Sequence, residues 1–270
     1  MIKFHILGAG GAVPTATHTP AAYWVTVDGH PILMDPGPGA LVRLVKSGQA
    51  PNGVDDIGLV FLTHLHPDHC ADLLHLLFAL HSPVPQRTDP LQLFGPPGLI
   101  DYLAKLKEIY GSWLEPRKRE LQVREIGPGV TVPLPGDGAV RPFQVDHPQD
   151  RLSKFCLGYR ISDAQGHTAV FSGDTGPCAE LNKAAAGADL LVVECSTPDH
   201  LATWGHLTVS QVGALCLDAK PKLTVLTHQY PDAAVLDLAA LVGELYDGPV
   251  QQAVDDSIFS VPEEPGEENR

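Results

Sequence analysis

Four side chains that can bind a metal fall within six residues of the chain, at His64, His66, Asp68 and His69. His64 and His66 are two residues apart after an apolar strand, so in an extended segment they project to the same side. Asp68 and His69 then begin a predicted helix that runs towards Leu80. Imidazole and carboxylate are the ligands that zinc takes in catalytic sites, where one position stays open for water. The motif predicts a metal site, because a surface loop rarely collects four such side chains.

Three further metal-binding side chains, His147, Asp174 and His228, each follow a predicted apolar strand. Open α/β sheets place their binding sites at the carboxyl ends of strands, so we expect these side chains to gather at one edge. One catalytic metal needs only three protein ligands, and the larger set therefore indicates a second metal. Taken singly, each of the three could also be an ordinary loop residue.

Short apolar runs alternate with helical patterns and glycine- or proline-marked turns, which predicts an α+β (α/β) protein. We predict strands at residues 2–7, 22–27, 31–34, 58–62, 91–94, 140–145, 156–161, 168–171, 190–193 and 223–226. We predict helices at residues 71–79, 98–110, 179–186, 209–217 and 233–245. A single domain is expected over residues 1–260, followed by an acidic, disordered tail at residues 261–270.

Composition restricts the environment and the partners of the chain. A net charge of −14 repels polyanions at long range, so extended nucleic acid is an unfavourable partner without a basic patch. The best candidate for such a patch, Arg117-Lys118-Arg119 with Arg124 nearby, is short, and such runs usually form a solvated face. Five cysteines without a Cys-x-x-Cys pair suit a reducing cytosol. With no signal peptide and no apolar run of ~18 residues, we expect a cytoplasmic protein that does not cross a membrane.

The seven candidate ligands, in chain order, resemble the metal-ligand series of the metallo-β-lactamase-fold hydrolases. The resemblance covers most of the chain, from about Ile2 to His228, and the series is highly specific for this fold. It implies a four-layer αββα sandwich with two sheets between outer helices. It also implies two zinc ions, the first held by His64, His66 and His147, the second by Asp68, His69 and His228, with Asp174 bridging both.

Other segments resemble the ribonuclease Z-like phosphodiesterase branch, at residues 7–15, 35–39, 95–99, 158–161 and 172–175. The most specific is Val193-Glu194-Cys195-Ser196 followed by Gly205-His206-Leu207-Thr208. In that branch a matching histidine lies over the substrate phosphate, and a matching glutamate helps to orient it. The resemblance therefore implies that His206 is the acid that contacts the phosphate and that Glu194 orients it. The alternative for His206 is a histidine at a helix start without a chemical role.

The chain departs from ribonuclease Z between two of the candidate ligands. Only 26 residues separate His147 from Asp174, and they also have to supply two strands. The protruding arm with which ribonuclease Z grips transfer RNA has no room there. Arg151 and Lys154 follow His147 closely, and we interpret both as solvated. A compact phosphodiester is therefore the expected substrate, such as a cyclic nucleotide, a cyclic ribose phosphate or the end of a short oligonucleotide.

The sequence thus predicts a dinuclear zinc hydrolase in which Asp68 aims a metal-activated hydroxide at phosphorus, with Mn²⁺ and Fe²⁺ as alternative metals. The nearest alternative is an arylsulfatase, a lactonase or a β-lactamase on the same metal platform. A metal-dependent redox or binding module is a second alternative, although the chain lacks the flavin domain that such redox proteins often carry. An inactive scaffold is disfavoured because the ligand set is complete. By resemblance, we also expect a homodimer.

Overall fold

The computed structural model describes residues 1–148 and 154–263 and contains two seven-stranded sheets. The first sheet is made of β1 (Ile2–Gly8), β2 (Ala22–Val27), β3 (His30–Met34), β4 (Leu59–Phe61), β5 (Leu91–Gly95), β6 (Leu121–Glu125) and β14 (Ile258–Val261). Its strand order is β14-β1-β2-β3-β4-β5-β6. The pairs are antiparallel from β14 to β3 and parallel from β3 to β6.

The second sheet is made of β7 (Val132–Pro133), β8 (Ala139–Val145), β9 (Cys156–Ser162), β10 (Thr168–Phe171), β11 (Leu190–Glu194), β12 (Thr224–Thr227) and β13 (Val250–Gln252). Its strand order is β13-β12-β11-β10-β9-β8-β7. The pairs are antiparallel from β7 to β10 and parallel from β10 to β13. Strands β8, β10 and β12 consequently all end at the same edge of the sheet.

The main core lies between the two sheets. In β1, Ile2, Phe4 and Ile6 face this core, as the alternation of side chains along a strand requires. Tyr23 of β2 and Phe171 of β10 bring their ring centroids to 4.6 Å, so the two sheets are in direct contact. Burying a side chain of this kind stabilises the fold by roughly 1.5–3 kcal/mol. The packed sheets therefore form a rigid platform for the loops at their edge.

Helices cover both outer faces of the sheet pair. On the first sheet lie α1 (Ala40–Lys46), α2 (Pro67–His81) and α3 (Leu99–Tyr110). On the second sheet lie α4 (Ala179–Ala185), α5 (Val209–Ala219), the short α6 (Pro231–Ala234) and α7 (Leu238–Gly243). The predicted four-layer αββα sandwich is confirmed.

Two helices differ in extent from the sequence prediction. The segment 233–245 forms two helices instead of one, because the Asp237 carboxylate accepts a hydrogen bond from the backbone N of Ala240 at 2.9 Å and starts α7 anew. Helix α2 begins at Pro67 instead of residue 71. Proline suits the first helical position because its fixed φ is helical and its missing N–H would be unpaired there.

Five elements were not predicted: α1, β6, β7, β13 and β14. The sequences LQVRE and VQQ of β6 and β13 are too polar for a search based on apolar runs, and both strands lie at sheet edges. Strand β14 pairs with β1 up to Val261, so the domain boundary expected after residue 260 falls within a strand. Of the predicted tail, residues 264–270 lie outside the described part of the chain. Among the helices of the described residues, none is long and apolar enough to cross a membrane.

Candidate metal centre

The structure brings all seven predicted metal ligands together at one edge of the sandwich. His64 and His66 lie in the loop after β4, and Asp68 and His69 lie in the first turn of α2. The other three follow the ends of β8, β10 and β12, and they are His147, Asp174 and His228. The side chains converge because the strands that carry them all end at this edge.

The ligand atoms fall into two groups, in each of which they lie within 4.8 Å of one another. The first group is His64, His66 and His147, in which Nδ1 of His66 lies 3.1 Å from Nε2 of His147. The second group is Asp68, His69, Asp174 and His228.

Asp174 lies between the two groups. Its Oδ2 is 3.9 Å from Nε2 of both His64 and His147 in the first group. The same oxygen is 3.2 Å from Nε2 of His228 in the second group, and Oδ1 is 3.2 Å from Nε2 of His69. From this position, the carboxylate would be available to ions held by either group.

The hydrogen bonds of the histidines leave lone pairs facing one another. Nδ1 of His69 donates to Oδ2 of Asp35 at 2.9 Å, and Nδ1 of His147 donates to the carbonyl oxygen of Gly205 at 2.7 Å. The Thr63 hydroxyl donates its proton to Oδ2 of Asp35 at 2.6 Å. Its oxygen can then only accept from His64, so Nδ1 of His64 donates to Thr63 Oγ1 at 2.9 Å. In its neutral form, each of these rings presents an Nε2 lone pair to the cluster, which is the tautomer of a metal ligand.

Two buried atoms of this cluster have no hydrogen-bond partner within the described residues, Nε2 of His64 and Oδ1 of Asp174. Buried polar atoms are rarely left without a partner, so the pair fits a site that binds a cation. The cluster also attracts positive charge. Burial lowers the pKa of His69, but the Asp174 and Asp68 carboxylates raise this pKa well above its ordinary value. The donor set and the electrostatics therefore fit divalent metal ions.

Asp35 lies in the segment 35–39, which resembles the ribonuclease Z-like branch, and it orients the cluster from behind. It is fully buried and accepts hydrogen bonds from the backbone N of Thr63 at 2.7 Å, from the Thr63 hydroxyl and from Nδ1 of His69. Such carboxylate–histidine pairs fix the tautomer and the ring orientation of a metal ligand. The sequence signal for Asp35 is its position in an Asp-Pro-Gly segment directly after β3. This segment alone does not show which histidine Asp35 contacts.

Replacing Asp35 by asparagine is expected to weaken metal binding by roughly 10- to 100-fold, because an amide nitrogen then faces at least one N–H or O–H donor. Competition with a fluorescent chelator measures the affinity of each variant. Asp163→Asn is the matched control, since Asp163 also pairs with a histidine, Nδ1 of His167 at 2.8 Å, but at the opposite end of β10. Equal metal affinity in Asp35→Asn and the wild-type protein would contradict this role.

His206 and Glu194 lie directly beside the cluster. The His206 ring is 4.9 Å from the His147 ring and stacks on the His228 ring at 5.5 Å, measured between centroids. Nδ1 of His206 lies 3.2 Å from both carboxylate oxygens of the fully buried Glu194. Burial lowers the pKa of His206, but the hydrogen bond to Glu194 and the charge of Glu194 raise this pKa to about 9. The Glu194 carboxylate therefore favours the protonated form of His206.

Two residues of this region were not assigned a role from the sequence, Ser196 and Tyr230. Ser196 Oγ lies 2.9 Å from Nδ1 of His228 and donates to Glu194, so it connects the cluster with the His206–Glu194 pair. Tyr230 packs its ring against both His206 and His228. Of the two basic residues interpreted as solvated, Lys154 is exposed and Arg151 lies outside the described residues.

A family model described as a β-lactamase superfamily domain matches residues 30–229. The chain belongs to the β-lactamase superfamily. Among curated proteins of this superfamily, ribonuclease Z of Mycobacterium sp. (strain KMS) is 32% identical over 254 residues, which cover 87% of this chain and 86% of that protein. Ribonuclease Z of Methanosarcina acetivorans is 26% identical over 271 residues, which cover 84% and 87%, respectively. The resemblance to the ribonuclease Z-like branch is confirmed.

Solved structures of this superfamily share the fold. The metallo-β-lactamase fold protein YhfI from Bacillus subtilis superposes with a TM-score of 0.81 at 22% identity, over 96% of this chain and 100% of that one. The short form of human tRNase Z superposes with a TM-score of 0.75 at 24% identity, over 97% and 100%. The chain is therefore a metal-dependent hydrolase with the metallo-β-lactamase fold, as predicted.

Proposed function

We propose that the chain is a dinuclear zinc hydrolase that cleaves compact phosphodiesters. The observation that carries the proposal is the His206–Glu194 pair, which lies against the metal-binding cluster with a pKa of about 9 for the imidazole. A cluster of histidines and aspartates is compatible with many hydrolytic reactions. A protonated histidine held over such a cluster is suited to a substrate with a negatively charged reacting centre and a leaving oxygen that needs a proton.

The two groups of ligands would each hold one metal ion, with Asp174 shared between them. When bound, two divalent ions lower the pKa of a coordinated water and offset negative charge on the phosphoryl oxygens. Zinc is our choice because imidazole and carboxylate are the ligands of its catalytic sites.

Asp68 would orient the attacking water. Its side chain is 12% exposed, whereas that of Asp174 is 3% exposed, so Asp68 is more accessible to water than Asp174. Burial raises the pKa of Asp68, but the charge of His69 and the hydrogen bond to His228 lower this pKa to about 2. An ionised carboxylate accepts a hydrogen bond from the attacking water, and this bond aligns a lone pair of the water oxygen with the phosphorus atom.

His206 would protonate the leaving oxygen. Both oxygens of Glu194 accept from Nδ1, so the proton on Nε2 points away from Glu194. Glu194 is itself held by the backbone N of Thr175 at 2.5 Å and by the backbone N of Leu207 at 3.1 Å. A proton donor fixed in this way contributes roughly 10²- to 10⁴-fold to a reaction with a poor leaving group.

Three observations favour a compact diester over transfer RNA. The net charge of −14 repels polyanions. The described residues between His147 and Asp174 form β9 and β10 within the second sheet. In the best candidate for a basic patch, Arg119 is buried and donates to the carbonyl oxygens of Ile57 and Pro90 at 2.8 and 2.9 Å, so it is not available to phosphates.

The names of the similar proteins agree with a phosphoester substrate. The curated relatives from Mycobacterium sp. (strain KMS) and Methanosarcina acetivorans are called ribonuclease Z, and a structure that superposes with a TM-score of 0.68 is described as a diphosphatase from the PhnP family. These names concern those proteins, and they support the proposal for this chain by similarity. A homodimer and a cytoplasmic location stay predictions.

The proposal is tested by preparing the protein without chelators, counting its metals and assaying bis-p-nitrophenyl phosphate. We expect two zinc ions per chain and hydrolysis that is lost after metal removal and restored by zinc. Parallel assays with aryl sulfate, lactone and β-lactam substrates separate the alternative hydrolases. Two bound metals with hydrolysis of one of these substrates, but not of any phosphodiester, would move the function to that bond. A coloured, iron-containing protein without hydrolase activity would favour a redox module.

A further inference from the structure

Tyr230 occupies a position at the metal centre in which its backbone is held from both sides. It follows the candidate ligand His228 by two residues, and its backbone N donates to the carbonyl oxygen of Ser196 at 3.1 Å. Its own carbonyl oxygen accepts from the backbone N of Ala233 and Ala234 at 2.9 and 2.8 Å, in the first turn of α6. The side chain therefore starts from a fixed point at the edge of the site.

The ring of Tyr230 is also fixed. It stands edge-on to the rings of His206 and His228, with centroid distances of 5.5 and 5.7 Å and interplanar angles of 84° and 86°. Gly11 closes the other side, because a Cβ atom built there would lie only 3.4 Å from Cε2 of Tyr230 and 3.1 Å from Cε1 of His228. The ring thus packs between the glycine and the two histidines, one a candidate ligand and one the candidate acid.

The hydroxyl of Tyr230 makes no hydrogen bond within the described part of the chain, although the residue is half-buried. Other half-buried or buried tyrosines use theirs: Tyr246 donates to the carbonyl oxygen of Pro221 at 3.0 Å, and Tyr23 pairs with the Thr227 hydroxyl at 3.1 Å. A phenylalanine would fill the packing position of Tyr230 equally well. The hydroxyl therefore indicates that Tyr230 forms a hydrogen bond with a bound ligand.

We propose that the Tyr230 hydroxyl donates a hydrogen bond to a non-bridging oxygen of the bound phosphoryl group, which makes Tyr230 a further catalytic residue. The inference rests on the proposed function, because it requires a phosphoryl group at the cluster. The side chains next to Tyr230 leave this task open: His206 serves the leaving oxygen, and the carboxylates of Asp68, Asp174 and Glu194 cannot donate. A neutral phenol supplies a proton to the negatively charged oxygen without adding a charge to the site.

The test compares Tyr230→Phe with Tyr246→Phe, both loaded with zinc. Each variant removes one hydroxyl from a half-buried tyrosine, but only the first removes it at the metal centre. For Tyr230→Phe we expect kcat/KM on bis-p-nitrophenyl phosphate to fall by roughly 10- to 100-fold, the range of a hydrogen bond to a charged group. Metal content and Tm should match the wild-type values, and Tyr246→Phe should keep kcat/KM. A Tyr230→Phe variant within twofold of wild-type kcat/KM would overturn the inference.

A second measurement separates this inference from the proposed function. Calorimetric titration of the zinc-loaded protein with inorganic phosphate follows phosphoryl binding without catalysis. We expect Tyr230→Phe to bind phosphate about tenfold more weakly than Tyr246→Phe. Absence of diester hydrolysis in the wild-type protein would reject the proposed function, while weaker phosphate binding in Tyr230→Phe would still support the contact. Equal phosphate affinity in the two variants would reject the contact whatever the wild-type protein hydrolyses.

Discussion

Asp68→Asn is expected to lower kcat on a phosphodiester by roughly 10³- to 10⁴-fold while the protein stays folded. An asparagine keeps the shape of the side chain but has no negative charge, and it can turn an N–H donor towards the attacking water. The water then loses the acceptor that aligns it with phosphorus. The partial exposure of Asp68 indicates that the fold tolerates this change. Steady-state kinetics, with metal content measured on the same samples, give the size of the effect.

Asp101→Asn is the control for Asp68→Asn. Asp101 lies in the first turn of α3, as Asp68 does in α2, but it is exposed and outside the cluster. We expect Asp101→Asn to keep wild-type kcat. Nearly full activity of Asp68→Asn would exclude Asp68 from the reaction. A loss of activity that additional zinc restores would reassign Asp68 as a metal ligand only.

His206→Ala is expected to lower kcat by roughly 10²- to 10³-fold on a diester with an alkyl leaving group. The loss should be much smaller for a p-nitrophenyl leaving group, since p-nitrophenolate departs readily without a proton. Comparing methyl p-nitrophenyl phosphate with a dialkyl diester of similar size measures this difference. An effect that depends on the leaving group distinguishes a proton donor from a histidine that only packs against His147 and His228.

His200→Ala serves as the control for His206→Ala, because His200 is exposed on the same loop. We expect it to hydrolyse both substrates at the wild-type rate. An equal loss on both substrates in His206→Ala would refute the role of His206 as the acid. Loss of metal together with activity would place His206 among the ligands, since its ring nitrogen also lies within 4.8 Å of ligand atoms of His147 and Asp174.

Most of the fold and of the candidate site could be predicted because their signals are local in the chain. His64, His66, Asp68 and His69 lie in one short segment, where strand and helix geometry alone bring the side chains together. His147 and His228 could be added because each follows the end of an apolar strand. The four-layer architecture came from the resemblance, and the structure agrees with it. The polar edge strands were missed because they carry no apolar run.

The pairs that orient these residues could not be read from the chain. Asp35 contacts a histidine 34 residues away, and Tyr230 meets His206 across two different connections of the second sheet. Which partners meet depends on the register between strands and on how side chains pack between layers, and a shift of one residue would turn each side chain to the opposite face. The ligand types were therefore evident from the sequence, whereas the residues that hydrogen-bond the ligands from behind, and the position of Tyr230 beside two histidines, were decided by the packing of the two sheets.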